Sequence, residues 1–386
     1  MTDQPVYLDY QATTPTDPRI VDAMLPYFTS ICGNPSSAHT LGRHAAAGVD
    51  AARSQLRDLI GARYDSEIIF TSGATEADHL AVAGIASALR DRFDHIVTTA
   101  IEHKAVLASC EHLSKEGFRV TRIPAGRDGL VDPSDIAAAI TSRTSLVSVM
   151  HANNEIGTIQ PLAEISAITH ERGVLLHTDA AQSLGSLPFD AESLGADLAS
   201  FSAHKVYGPK GIGALYIRRD IPRPVPQLSG GGQEFGMRAG TPNVPGIVGF
   251  GAAAAILRRE RQREARRIRE LRDYLLARLE GALPHSRVNG TMTQRLPGNL
   301  SITVPGIDAL QIVTETTGLA ISTGSACGTG DPDPSHVLTA IGLPRPDARA
   351  TLRISIGRPT TRDQVEHAAE LLIAAISRHT GMAGAG

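Results

Sequence analysis

The sequence has few cysteines, no long apolar run and almost no excess of charge. Cys32, Cys110 and Cys327 are the only three cysteines in 386 residues, and they are far apart. They form no CxxC pair, which argues against a thiolate zinc site, and no disulfide framework of the kind small secreted scaffolds need. No apolar stretch approaches the roughly 20 residues of a membrane-spanning helix. The start, Met1-Thr2-Asp3-Gln4-Pro5, is polar and acidic and lacks a signal-peptide pattern, so a cytoplasmic location is the expectation. The net charge of −3 offers no general attraction to nucleic acid or to an anionic membrane, and direct contact with neither is expected. There is no GxGxxG run, no Walker lysine, no metal-ligand spacing and no internal repeat.

What is present is ample core material. Hydrophobic residues make up 42% and charged residues 20% of the chain, the balance of a soluble globular protein with a sizeable interior. Between residues 68 and 217 short apolar runs alternate with helical patterns. The runs include Ile68-Ile69-Phe70-Thr71, His95-Ile96-Val97-Thr98-Thr99 and Ser145-Leu146-Val147-Ser148-Val149-Met150. Val174-Leu175-Leu176-His177, Leu198-Ala199-Ser200-Phe201 and Gly213-Ala214-Leu215-Tyr216-Ile217 continue the series. This alternation predicts an α/β fold, a mostly parallel sheet with helices on both faces.

Polar clusters recur where these runs end. Ser72-Gly73-Ala74-Thr75 follows the first and opens a helix, so backbone N–H groups there can face a single phosphate. His103, Asn154, and Asp179 with Gln182 follow later runs, and Ser202-Ala203-His204-Lys205 follows Phe201. Each cluster alone reads as ordinary loop or cap chemistry. Five on the edge where open parallel sheets bind ligands point to one site. Lys205 is the key residue: a desolvated lysine has a lowered pKa and can form a Schiff base with a carbonyl. Asp179 follows a buried run, where a carboxylate needs a cationic or N–H partner.

Beyond residue 217 the texture changes. Gly230 to Asn243 is Gly-rich and polar, with Arg238 and Thr241 as candidate anion ligands. A long helical pattern from Gly249 to about Leu283 is crowded with arginine and glutamate, which reads as a solvated face. The remainder predicts a smaller α+β unit, with strands at 298–304 and 352–355 and helices near 308–317, 335–341 and 362–378. Between them, Ser322 to Pro334 is rich in small and turn-forming residues, with Cys327 in the middle as a candidate thiolate nucleophile.

Taken together, these motifs identify a resemblance. Phe70-Thr71-Ser72-Gly73-Ala74-Thr75-Glu76, His177-Thr178-Asp179-Ala180-Ala181-Gln182 and Ser202-Ala203-His204-Lys205 carry it. The chain resembles the pyridoxal-phosphate-dependent cysteine desulfurases of the class V aminotransferase family, from Tyr7-Leu8-Asp9 to Arg353-Ile354-Ser355-Ile356-Gly357-Arg358. Ser325-Ala326-Cys327 is similar to the long-loop subgroup. The Arg-x-Gly-His-His-Cys motif of the short-loop subgroup is missing.

The resemblance implies the fold type I architecture of such enzymes. It assigns residues 15–258 to a large cofactor domain, and 1–14 with 259–386 to a small α+β domain carrying the cysteine loop. It implies pyridoxal 5'-phosphate as cofactor, no metal, and conversion of L-cysteine to L-alanine in a homodimer. Lys205 would hold the cofactor and move the Cα proton, with Asp179 on the pyridinium nitrogen and His103 over the ring. Ala74, Thr75, Ser202 and His204 would bind the phosphate, with Thr241 reaching in from a second subunit. Gln182 and Asn154 would contact ring and substrate, and Arg353 would clamp the substrate carboxylate. Cys327 would take the sulfur as a persulfide and pass it to an acceptor protein, a scaffold or sulfur carrier.

A selenocysteine lyase or another lyase or aminotransferase of the same family is the alternative. His79, Phe235 and the Gly- and Asp-rich loop after Cys327 depart from the usual pattern. That loop leaves room for a specialised acceptor, such as DNA phosphorothioation in place of iron–sulfur assembly or tRNA thiolation.

Overall fold

The structure, a computed structural model, describes residues 4–323 and 334–380. A seven-stranded sheet forms its centre. From one edge the order is Ile68–Thr71, Gly213–Ile217, Leu198–Ser202, Leu175–Asp179, Thr144–Ser148, His95–Thr99 and Arg119–Ile123. Only Gly213–Ile217 runs against the others. The mostly parallel sheet expected from the alternation of patterns is therefore present. Its central strands, such as Leu-Ala-Ser-Phe-Ser at 198–202, are buried throughout because helices cover both faces.

On one face the helices Thr40–Ile60 and Val244–Ala282 bury Val49, Leu56, Ile60, Ile247, Phe250 and Leu257 against Phe70, Phe201 and Tyr216. On the other, Leu80, Ile85, Val106 and Leu113 meet Ile69, Ile96, Leu146, Leu198 and Leu215. Each such fully buried side chain contributes about 1.5–3 kcal/mol of apolar transfer. Gly61 has φ +67° and caps Thr40–Ile60 in the left-handed conformation that glycine tolerates.

The 39-residue helix Val244–Ala282 starts where Asn243 accepts the Gly246 N–H. It begins earlier than the sequence pattern suggests, with Pro245 tolerated in its first turn. Its Phe250 and Leu257 sit in the core of the large sheet. Its Leu271, Leu275 and Leu279 sit in a second core, around the strands Asn299–Thr303 and Thr351–Ser355 and the helix Arg362–Thr380. One rod thus ties both cores together. The N-terminal Val6–Tyr7 pairs in parallel with Leu319–Ala320, beside that second core. Among the described residues no helix is long and apolar enough to cross a membrane.

Two local features differ from the sequence expectation. The helix that the Ser72–Thr75 turn opens starts at Ala74, inside that turn, and is interrupted by a π-helical turn at Leu80–Gly84. Arg119–Ile123, whose charged residues break the apolar pattern of a buried strand, is the outermost strand, where one side faces solvent.

Candidate active site

The carboxyl ends of the parallel strands surround a cavity of about 530 Å³. Ala74, Thr75, His103, Asn154, Asp179, Gln182, Ser202, His204, Lys205 and Arg353, all singled out from sequence, line it. Thr241 does not: it is exposed on the Gly-rich loop. Arg238 on that loop is paired, its Nε donating to Glu76 at 3.0 Å, so it is not an open anion ligand. Cys327 lies outside the described residues.

Lys205 closes the short 3₁₀ turn Ala203–Lys205 directly after its strand. Its Nζ donates to the backbone carbonyls of Gln11 (2.5 Å) and Ala12 (2.9 Å), which bring the N-terminal segment across the cavity mouth. Two residues on, Tyr207 has φ +64°, a conformation that only a surrounding network sustains in a tyrosine. Its N–H donates to Thr14 Oγ1 (2.8 Å), its hydroxyl accepts the Arg358 N–H, and the Arg358 guanidinium lies 4.1 Å above its ring. These contacts fix the turn that aims Lys205.

Asp179 ends its strand and is not the helix N-cap that its position alone suggests. Its Oδ1 accepts the Ala181 N–H at 2.9 Å, and it is the one acid among the residues lining the cavity. His103 caps the helix Lys104–Lys115: its Nδ1 accepts the Ala105 N–H at 3.2 Å, so the neutral ring carries its proton on Nε2. Gln182 is aimed by its Nε2 donating to the Gln11 carbonyl at 3.0 Å. His204 Nδ1 meets Thr13 Oγ1 at 3.0 Å. Burial, with help from Lys205 and Lys210, pushes the His204 pKa down to about 4, so it is neutral near pH 7 and can serve as an N–H donor.

Arg353 is almost fully buried. Its Nη2 donates to Asp9 Oδ1 (2.9 Å) and its Nη1 to the Asn154 carbonyl (3.1 Å), while Nε has no hydrogen-bond partner among the described residues. Lys205, Lys210 and Arg353 against Asp179 make the cavity net positive, suited to a ligand with two anionic groups.

These groups fit pyridoxal phosphate. The lining includes Ser72, Gly73, Ala74, Thr75, Ser202 and neutral His204. A Cβ on Gly73 would meet no protein atom within 4 Å, so the chain leaves space there for a phosphate. Asp179 offers a carboxylate to a ring nitrogen and Lys205 an amine to an aldehyde. Residues 6–367 match the class-V aminotransferase family model.

The chain belongs to the class-V aminotransferase family.

Its cofactor is accordingly pyridoxal phosphate. The cysteine desulfurase IscS of Anaeromyxobacter dehalogenans (strain 2CP-C) is 48% identical over 369 residues, spanning 95% of this chain and 91% of that protein. Among solved structures, a NifS-like protein superposes with a TM-score of 0.91 at 36% identity, over 97% of this chain and all of that one. SspA in complex with cysteine gives a TM-score of 0.81 at 37% identity, covering 91% of this chain and 98% of that one.

Sequence reasoning missed several residues of the site. Gln11 and Asp9 reach it from the far N-terminus, and no local pattern announces that return. Lys210 follows the lysine motif closely but carries no spacing signal. Asp78 reads as one polar residue of a surface helix, yet it is wholly buried behind Asp179. The one available hint was its place three residues after Thr75, within the helix that begins at the cavity.

Proposed function

We propose that this protein is a cysteine desulfurase, which takes L-cysteine to L-alanine and moves the sulfur as a persulfide on Cys327 to an acceptor protein. The observation that carries the reading is the convergence of Lys205, Asp179, His103 and Arg353 on one cavity. Pyridoxal phosphate, when bound, supplies an electron sink for the bond pair released at the substrate Cα.

The chain's own residues do the rest. Arg353 clamps the substrate carboxylate, a task suited to a guanidinium already held by Asp9 and the Asn154 carbonyl. Lys205 holds the cofactor and moves the Cα proton. Asp179 faces the ring nitrogen with a fixed negative charge. His103, with its proton on Nε2, manages the proton of the substrate thiol. Ala74, Thr75, Ser202 and His204 anchor the phosphate, and Gln182 and Asn154 contact ring and substrate. Cys327 would attack the substrate sulfur: the S–S bond forms as the Cβ–S bond breaks, and the carbon skeleton keeps that electron pair and takes a proton to leave as alanine.

The same reading makes the enzyme a cytoplasmic homodimer of two-domain subunits, with Thr241 of each subunit completing its partner's phosphate site. Two features support this. Thr241 is exposed on its own subunit, and Leu25 and Phe28 expose 54% and 61% of their surface for a partner to cover. The acceptor belongs to iron–sulfur assembly, tRNA thiolation or DNA phosphorothioation. The decisive assay incubates the holoenzyme with L-cysteine and a reductant: alanine and sulfide should appear in equal amounts. Pyruvate, or alanine without sulfide, would overturn the reading.

A further inference from the structure

Asp78 lies in the helical turn Ala74–His79 with its carboxyl turned inward, fully buried. Neither of its oxygens has a hydrogen-bond partner within the described residues. A buried, unpaired carboxylate is expensive, and such a group takes a proton unless something compensates its charge. The His177 ring has Nε2 3.6 Å from Oδ1. That ring is already engaged: Nδ1 meets Ser148 Oγ at 2.8 Å and Nε2 meets Ser200 Oγ at 3.0 Å. Burial pushes the His177 pKa down to about 3, so it is neutral and offers no positive charge.

The remaining titratable groups facing Asp78 are Asp179 from the same strand as His177, and Glu102 and His103 from the segment before the helix Lys104–Lys115. Glu102 is raised to about 8 by burial and carries its own proton near pH 7. Asp78, His103 and Asp179 each place a ligating atom within 4.8 Å of the other two. Two ionised carboxylates so close in a dry interior repel strongly, and one of them keeps a proton. The environments differ: Asp179 borders the cavity and accepts the Ala181 N–H, whereas Asp78 is fully buried, and its one favourable neighbour, the Ser200 hydroxyl, carries no charge. The Asp78 carboxyl is held well above its usual range, first by burial and then by the charge of Asp179.

We propose that Asp78 is a positioning residue for Asp179: it keeps a proton at the cavity floor, so that the carboxyl pair presents one fixed negative charge to the cofactor ring nitrogen. This rests on the reading that places Asp179 against that nitrogen. His177, locked between two serines, forms the neutral wall behind the pair.

The test compares wild type with Asp78→Asn, Asp78→Ala and Asp179→Asn. Each is read by cofactor dissociation constant, by the pH titration of bound-cofactor absorbance, and by infrared difference spectra at pH 7.5. Asp78→Ala should weaken cofactor binding about tenfold, about 1.4 kcal/mol of the interaction between Asp179 and the ring nitrogen, and should move the absorbance titration. Asp78→Asn, which keeps a neutral polar group of the same shape, should restore most of that loss. The wild-type minus Asp78→Asn spectrum should contain a neutral carboxylic-acid band, a readout that survives even if the alanine variant does not fold. An ionised-carboxylate band in that difference, or an alanine variant with wild-type affinity and titration, would overturn the proposal. If Asp179→Asn itself moves neither affinity nor titration, the placement of Asp179 fails first.

Discussion

Arg353 offers the most specific prediction about substrate binding. Two of its donors are occupied, by Asp9 at 2.9 Å and by the Asn154 carbonyl at 3.1 Å, and the side chain is almost fully buried at the cavity wall. Arg353→Lys keeps the positive charge but not the planar fork. A lysine there can satisfy Asp9 or a substrate carboxylate, not both in good geometry. The loss is close to one charge-assisted hydrogen bond, about 2 kcal/mol. That corresponds to about a 30-fold fall in kcat/KM for L-cysteine. Carboxylate binding is equal in ground and transition states, so the fall should appear mainly as a raised KM. The assay is initial-rate sulfide release in the presence of a reductant, normalised to cofactor content. Cysteamine, which lacks the carboxylate, serves as the control: wild type and variant should process it within about threefold of each other. An unchanged KM for cysteine, or an equal loss with cysteamine, would refute the clamp.

Further outcomes follow from the same structure. His151 and His177 are buried, and burial lowers their pKa values to about 4 and about 3. The unfolded chain protonates such histidines near pH 6.5, so their contribution is complete above about pH 6.5 and is lost as pH falls toward 4 and below. His151 contributes on the order of 3 kcal/mol and His177 on the order of 5 kcal/mol. Denaturant titrations of His151→Gln should show a shallower acid loss between pH 6.5 and 4.5 than wild type, and an equal slope would count against burial as the cause. A Cβ on Gly213 would sit 2.6 Å from both the Gly73 carbonyl carbon and the Phe201 carbonyl oxygen. Gly213→Ala should therefore cost about 1–3 kcal/mol in stability and weaken cofactor binding by displacing the Ser72–Thr75 turn. Retained affinity would show that the turn does not hold the phosphate. Cys327→Ser should keep the cofactor absorbance and abolish sulfur transfer to an acceptor, and full transfer would remove Cys327 from the mechanism.

Much of this site was legible in the sequence because parallel sheets separate their signals. A buried strand such as Leu198–Ser202 is an unbroken small or apolar run, and the polar residues crowd just past its end. That contrast alone assigns Thr75, His103, Asn154, Asp179, His204 and Lys205 to one rim. Contacts made across long stretches of chain left no such mark. The Gln11 carbonyl that accepts from Lys205, and the Asp9 carboxylate that holds Arg353, stand 194 and 344 residues from their partners. Tyr207 was equally hidden, since its left-handed backbone is imposed by Thr14 and Arg358 rather than by any preference of tyrosine. Asp78 was obscured for another reason: helical periodicity shows which residues share a face, and a carboxylate on the inner face reads as outward until its neighbours are known. The edge strand Arg119–Ile123 failed because its solvent side carries arginines that mask the apolar alternation.

The central claim is that Lys205 carries the cofactor. Treating the holoenzyme with borohydride fixes the amine–cofactor bond permanently, and peptide mapping by mass spectrometry then reads its position. The account predicts a phosphopyridoxyl group on the peptide containing Lys205 and no such label after Lys205→Ala. A label on another lysine, or labelling that persists in the alanine variant, would contradict it.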